Sequence, residues 1–145
     1  VVDYDRPIEE AILARKFDLV HHPEEFTDEN FPVDEKEHGK KERKCKIFRI
    51  EHPTFSKEII EAMAEEGYKP AVIRELLAYG ENYPEAQRSA PIIALNRWVN
   101  PKNGRHRFVA LDANGKDERQ LQKYQPSEPL DEYGRFLGVA IESDE

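Results

Sequence analysis

Three groups of side chains in this 145-residue chain are of types that can do chemistry. The first is a group of imidazoles and carboxylates that consists of His21, His22, Glu24, Glu25 and His38. Such groups bind Zn²⁺ when rigid elements hold them at defined spacing. Here they occur in a segment without helical or strand periodicity, and no second spacing completes a site. The sequence therefore predicts no metal site.

The second group is Cys45, the single cysteine, which could act as a nucleophile if a histidine served as its base. It lies in a predicted strand, where a lone cysteine is more often a small core residue. The glycines form no phosphate-binding loop, and no Gly-x-Ser-x-Gly motif occurs. We therefore predict that the protein is not an enzyme and uses no cofactor. A small metal-dependent hydrolase that uses Cys45 or the histidines is the less favoured alternative.

The third group is a basic and aromatic cluster around a predicted hairpin. Its members are Arg97, Trp98, Lys102, Arg105, His106, Arg107 and Phe108. Stacking and phosphate contacts of this kind would suit a nucleic-acid strand. However, 30 acidic residues against 22 basic ones give a net charge of −8, which argues against nucleic acid. The same cluster suits a protein partner, because Trp and Arg are enriched at interface hot spots.

Hydrophobic periodicity indicates the elements that position these groups. It predicts helices over about residues 6–16, 57–66 and 71–79, with Gly67 and Gly80 as stops. Short apolar runs predict strands near residues 1–4, 45–50, 92–99, 105–111, 117–124 and 135–141. Asn103-Gly104 and Asn114-Gly115 are typical of tight turns. The pattern predicts an α+β fold with two to three helices and a mostly antiparallel sheet.

Length and composition predict a single domain over residues 1–145, with a charged loop at 21–44. Within this loop, residues 24–37 are mainly acidic and residues 40–46 mainly basic. We expect Phe26, Phe31, Pro32 and Val33 to pin part of the loop to the core. No run of about 18 apolar residues occurs, so no membrane span is predicted. The single cysteine and the absence of a signal-peptide pattern favour a cytoplasmic location.

Most of the chain resembles a family of small proteins from uncultivated bacteria. The matching segments are residues 4–5, 16–18, 30–32, 56–58, 66–71, 74–80, 83–88, 91–95 and 135–139, together with Trp98. Through these segments the chain is similar to variable proteins of diversity-generating retroelements. The resemblance implies a C-type-lectin-like fold, in which a constant scaffold carries a hypervariable C-terminal face that binds ligand.

The chain departs from this family at positions that bear on function. Asn96-Arg97 stands where the family usually has Gly-Ser, and residues 142–145 are acidic where the family has a basic terminus. Between residues 120 and 133, which are usually rich in aromatic residues, only Tyr124 and Tyr133 are aromatic. Since a fold tolerates such changes better than a function does, the resemblance supports the scaffold more than diversification.

We therefore expect a non-enzymatic binding module with a recognition surface on its C-terminal strand-and-loop half. The expected ligand is a protein or another macromolecule. The expected ligand-binding residues are Asn96, Arg97, Trp98, Lys102, Arg105, Arg107, Tyr124 and Tyr133. The alternative is an acidic interaction or regulatory protein, such as a virion component or a phage-type inhibitor, in which residues 24–37 contact a basic partner.

Overall fold

The structure is a computed structural model that describes residues 2–15, 17–32, 39–99, 104, 106–124, 130 and 134–141. Its helices are α1 (Ile8–Arg15), α2 (Ser56–Glu65), α3 (Ile73–Asn82) and α4 (Ala86–Ser89). Its strands are β1 (Val2–Asp3), β2 (Leu19–Val20), β3 (Lys40–Lys41), β4 (Cys45–Arg49), β5 (Tyr68–Pro70), β6 (Ile92–Val99), β7 (His106–Ala113), β8 (Arg119–Tyr124) and β9 (Arg135–Ala140). The α+β class is confirmed, with one short helix, α4, beyond the three that periodicity predicts.

Seven strands form one mixed sheet in the order β2-β8-β7-β6-β9-β4, and β5 pairs with the last residues of β9. Strand β9 runs antiparallel to β4 but parallel to β6, and β2 runs parallel to β8. The other pairs in this sheet are antiparallel. Strands β1 and β3 form a separate two-stranded sheet. The segment Tyr68–Pro70 is a strand because β9 lies beside it.

Each face of the large sheet has its own apolar core. On the face that we call the α3 face, α1 and α3 pack on Ile92, Ala94, Val109, Leu111, Leu121, Leu137 and Val139. On the opposite face, the α2 face, Ile59 and Met63 of α2 pack with Phe48, Ile93, Leu95, Phe108, Ala110 and Phe136. Successive residues of a strand point to opposite faces, so continuous apolar runs supply both cores at once.

Part of the predicted charged loop is fixed to the α3 face. Phe26 and Phe31 are buried and stack with ring centroids 5.6 Å apart, which confirms that these two residues pin the loop. The prediction is wrong for Pro32, which is exposed, and Val33 lies outside the described residues. Asp28 accepts a hydrogen bond of 3.0 Å from the backbone N–H of Ile8 and pairs with Arg74 at 2.6 Å. The loop thereby caps the first turn of α1 from 20 residues away. Residues 33–38 of the loop lie outside the described residues.

Two glycines predicted as helix stops behave differently. Gly67 follows α2 with φ of 84°, the left-handed conformation that a C-terminal cap requires. At Gly80 the predicted stop is wrong, because α3 continues to Asn82. A Cβ at Gly80 would lie only 2.8 Å from Cδ1 of Leu111. A larger residue there would therefore have to displace the buried side chain of Leu111 between α3 and β7.

Candidate functional site

Those predicted binding residues that the structure describes lie mainly at one end of the β6–β7 hairpin. In this hairpin Trp98 is opposite Arg107, and Val99 is opposite His106. The register shifts between Ala94 and Trp98, where β6 advances four residues and β7 only two, and we call this irregularity of β6 the bulge. Residues 92–95 are buried, whereas Asn96 within the bulge is exposed. The bulge therefore marks the point at which β6 changes from a core strand to a surface strand.

Arg107 and Tyr124 lie on neighbouring strands, but their side chains leave the sheet on opposite faces. Tyr124 is opposite Phe108 and packs with it against the α2-face core. Arg107 precedes Phe108, so strand alternation directs it to the α3 face. Arg107 and Tyr124 can therefore belong to one binding surface only if that surface extends around the end of the sheet from one face to the other.

For five other predicted site residues the structure describes only the backbone or does not describe the residue. For Arg97 and Trp98 the structure gives only the position of the backbone in β6. Lys102, Arg105 and Tyr133 lie outside the described residues.

Tyr124 belongs to a polar network on the α2 face of β7 and β8. Its hydroxyl donates to Oδ2 of Asp112, and Nε2 of Gln122 donates to the same oxygen. Nε2 of Gln120 donates to Oδ1 of Asp112 at 3.1 Å. The other amide atom of Gln120, Oε1, is hydrogen-bonded to Nε2 of His21. Three neutral donors thus converge on one buried carboxylate.

This arrangement favours positioning over proton transfer. Both carboxylate oxygens of Asp112 already accept hydrogen bonds from the protein, whereas a general base needs an oxygen within reach of the substrate proton. The network instead fixes the side chains of Gln122 and Tyr124 on the sheet face. Sequence reasoning missed the network. Its signal is the polar alternation of Gln120, Gln122 and Tyr124 along one face of a strand.

Helix α4, which local sequence did not predict, supports the same two strands at their ends. The side chain of Gln87 is buried, and its Nε2 donates to the carbonyl oxygens of Asp112 at 2.8 Å and Gln120 at 3.1 Å. One amide group therefore ties β7 to β8 next to the polar network.

The residues considered as metal ligands lie in different surroundings. His21 contacts Gln120, while Nδ1 of His22 lies 3.5 Å from Oε1 of Glu24. Glu25 instead pairs with Lys123 at 2.9 Å. Within the described ranges, no three His, Cys, Asp or Glu side chains are grouped so that they could hold a metal ion. His38 lies outside those ranges.

Cys45 is half-buried in β4 and lines a cavity of about 470 Å³ together with Tyr79, Tyr83 and the buried carboxylate of Glu75. Burial raises the pKa of the thiol, and the negative charge of Glu75 adds to that shift. A thiol with a raised pKa is mostly protonated at neutral pH and is a poor nucleophile.

No described helix is long and apolar enough to cross a membrane. Comparison with known proteins assigns no family, since no family model, no curated protein and no solved structure matches the chain.

Proposed function

We propose that the chain is a non-enzymatic binding module that recognises a protein or another macromolecule with the end of its β6–β7 hairpin. The bulge carries this proposal, because it exposes Asn96 in a strand whose preceding four residues are core. Bulges often re-aim side chains next to functional sites. The predicted binding residues of the same hairpin are Asn96, Arg97, Trp98, Lys102, Arg105 and Arg107.

We further propose a C-type-lectin-like scaffold, as the resemblance to variable proteins of diversity-generating retroelements implies. Helices α2 and α3 precede the strand series β6 to β9, which is the order of elements that such a scaffold needs. The nucleotide sequence around the gene tests the relation to diversification. A neighbouring reverse transcriptase and an imperfect repeat of the C-terminal coding region would support it, and the absence of both would contradict it.

Selection of binding peptides tests the proposed surface. A random peptide library displayed on phage is selected on the immobilised full chain, and one enriched peptide is synthesised with a fluorescent label. We expect Asn96→Ala and Arg107→Ala each to weaken its binding, by about tenfold for the arginine. The matched control is Lys57→Ala, an exposed cation on α2 that should leave binding unchanged.

Circular dichroism of each variant establishes that its fold is retained. Failure to enrich any peptide would contradict the proposal. So would a selected peptide whose affinity is the same for wild type, Asn96→Ala and Arg107→Ala.

The alternative binding surface, the acidic segment 24–37, uses some of its carboxylates in contacts within the protein. Within residues 24–37, Glu25 pairs with Lys123, and Asp28 pairs with Arg74 and caps α1. Binding through this segment would weaken steeply as ionic strength rises, whereas binding through the hairpin end would weaken less. A salt titration of the selected peptide therefore distinguishes the two surfaces.

A further inference from the structure

We propose that the outer edge of β4 is a second binding site, which takes an acidic, extended peptide as an added strand. Strand β4 stands at the end of the sheet order, with β9 on its inner side. An edge strand can pair with an incoming chain through its backbone groups, and several peptide-binding proteins use this mode. Because β9 and β6 separate this edge from β7, the site is distinct from the hairpin end.

The phase of the ladder shows which backbone groups of β4 face β9. Just before the strand, the carbonyl oxygen of Lys44 accepts a hydrogen bond of 2.8 Å from the N–H of Ala140. In an antiparallel pair, alternate residues turn both backbone groups toward the same neighbour. Lys46 and Phe48 therefore also face β9.

The residues between them, Cys45, Ile47 and Arg49, turn their backbone groups outward. Among the described residues, the N–H and C=O groups of these three have no backbone partner beyond β4. An incoming strand would find an unpaired donor and acceptor at every second residue. This is the spacing at which an extended peptide presents its own groups.

A groove lies beside this edge on the α3 face. Cys45 and Ile47 line it from β4, and Tyr79, Asn82 and Tyr83 line it from the end of α3. The charged side chains of Glu42, Arg43 and Glu75 also line it. The rings of Tyr79 and Tyr83 lie 4.8 Å apart, and Tyr83 is 57% exposed. An added strand directs alternate side chains to this face, and apolar or aromatic ones would fill the groove of about 470 Å³.

The charge of the edge favours an acidic occupant. Lys44, Lys46 and Arg49 are all exposed. Lys46 pairs with the carboxylate of Glu66 and lies over the rings of Phe48 and Tyr68. Such a cluster of cations contrasts with the net charge of −8 of the whole chain. Strand alternation places Lys44 and Lys46 on the α2 face and Arg49 on the groove side. Glutamates on the α2 side of the added strand would meet Lys44 and Lys46, while the apolar side chains between them enter the groove. A second copy of the chain fits poorly, since it would bring two positive edges together.

Amide hydrogen exchange with residue resolution tests the edge itself. In the free protein we expect slow exchange at Lys46 and Phe48 and fast exchange at Cys45, Ile47 and Arg49. The probe is a heptapeptide in which glutamate alternates with valine. Its addition should slow exchange at the three outward amides by about tenfold or more, because each gains a hydrogen-bond partner. Unchanged exchange at these amides would overturn the proposal.

Fluorescence anisotropy with the labelled peptide tests the groove and the charge. We expect Tyr83→Ala to weaken binding about tenfold, and the matched peptide with lysine for glutamate to bind at least about tenfold more weakly. The control Leu13→Ala removes an apolar side chain that is 76% exposed on α1 and does not line the groove. It should leave the affinity unchanged.

Four results would refute the site. The first is equal binding of the two peptides, and the second is a Tyr83→Ala variant that binds the peptide as tightly as wild type. The third is a concentration-dependent dimer in sedimentation velocity that the acidic peptide does not disrupt, because a second copy would then occupy the edge. The fourth is a glutamate peptide that does not bind at all, in which case the cations serve only to prevent unwanted strand pairing. None of these results bears on the hairpin end, which is tested with a different peptide.

Discussion

The end of the β6–β7 hairpin and the outer edge of β4 belong to one sheet but offer different groups to a partner. At the hairpin, the two strands pair with each other as far as Val99 and His106, and the proposed recognition there uses side chains. At β4, the backbone groups of Cys45, Ile47 and Arg49 point outward, so recognition can use the main chain. The first kind of surface selects a partner by its residues, and the second selects by extended shape and charge.

The largest effect that separates the two regions is expected from Gly138→Ala. A Cβ at this position in β9 would lie 2.7 Å from Cε2 of Phe48, so the Phe48 ring of β4 would have to be displaced. Overpacking of this kind lowers the free energy of unfolding by about 1–3 kcal/mol. Denaturant unfolding measures the loss, and amide exchange should accelerate at Lys46 and Phe48 but not at Trp98 or Arg107.

The matched control is Gly115→Ala, because no atom lies within 4 Å of a Cβ added at this glycine. It should leave both regions unchanged. Equal destabilisation by the two substitutions, or faster exchange at the hairpin in Gly138→Ala, would show that the two regions do not respond independently.

A smaller effect is expected from Tyr124→Phe, which bears on how far the hairpin surface extends onto the α2 face. The change removes the hydrogen bond to Asp112 and keeps the ring, so it should lower the free energy of unfolding by about 0.5–1.5 kcal/mol. The exposed Tyr83→Phe, measured by the same denaturant unfolding, should change it by less than about 0.5 kcal/mol. If Tyr124→Phe were as mild, its hydroxyl would be available to a ligand and not committed to the network.

The smallest effect is on the pH dependence of stability. It comes from Tyr4, beside the groove that β4 lines. Burial raises the pKa of Tyr4, and so does its hydrogen bond of 2.7 Å to Glu75, which lines the groove. In the unfolded chain the tyrosine pKa is about 10. The neutral hydroxyl therefore contributes stability that is fully present below about pH 10 and is lost as pH rises from there towards the folded-state pKa.

Denaturant unfolding between about pH 8 and about pH 11, a range that spans the ordinary tyrosine pKa, measures this loss of unfolding free energy. The matched variant Tyr4→Phe lacks the ionisable group and should show a shallower decline than wild type. Identical pH profiles would contradict the role given to this hydroxyl.

Local pattern was sufficient for the elements that depend on near neighbours. The three helices α1 to α3 follow from apolar residues at helical spacing, and the β6–β7 hairpin follows from its two apolar runs and the turn dipeptide Asn103-Gly104 between them. The two phenylalanines that fix the charged loop were also predictable, because phenylalanine is usually buried even where the surrounding segment is polar.

Features set by distant partners were not predictable in this way. Strand β5 exists because β9 lies beside it, and α1 is capped by Asp28 from another segment. The open edge of β4 is a property of the strand order, which no local pattern contains. The opposite directions of Arg107 and Tyr124 likewise follow from the register of β7 and β8.

Chemical-shift mapping on the isotope-labelled full chain, titrated with the peptide selected from the phage library, decides whether the hairpin end is the recognition surface. We expect the largest changes at Asn96, Arg107 and their neighbours at the ends of β6 and β7. Changes confined to residues 24–32, or to Cys45–Arg49, would place recognition elsewhere and contradict the proposed function.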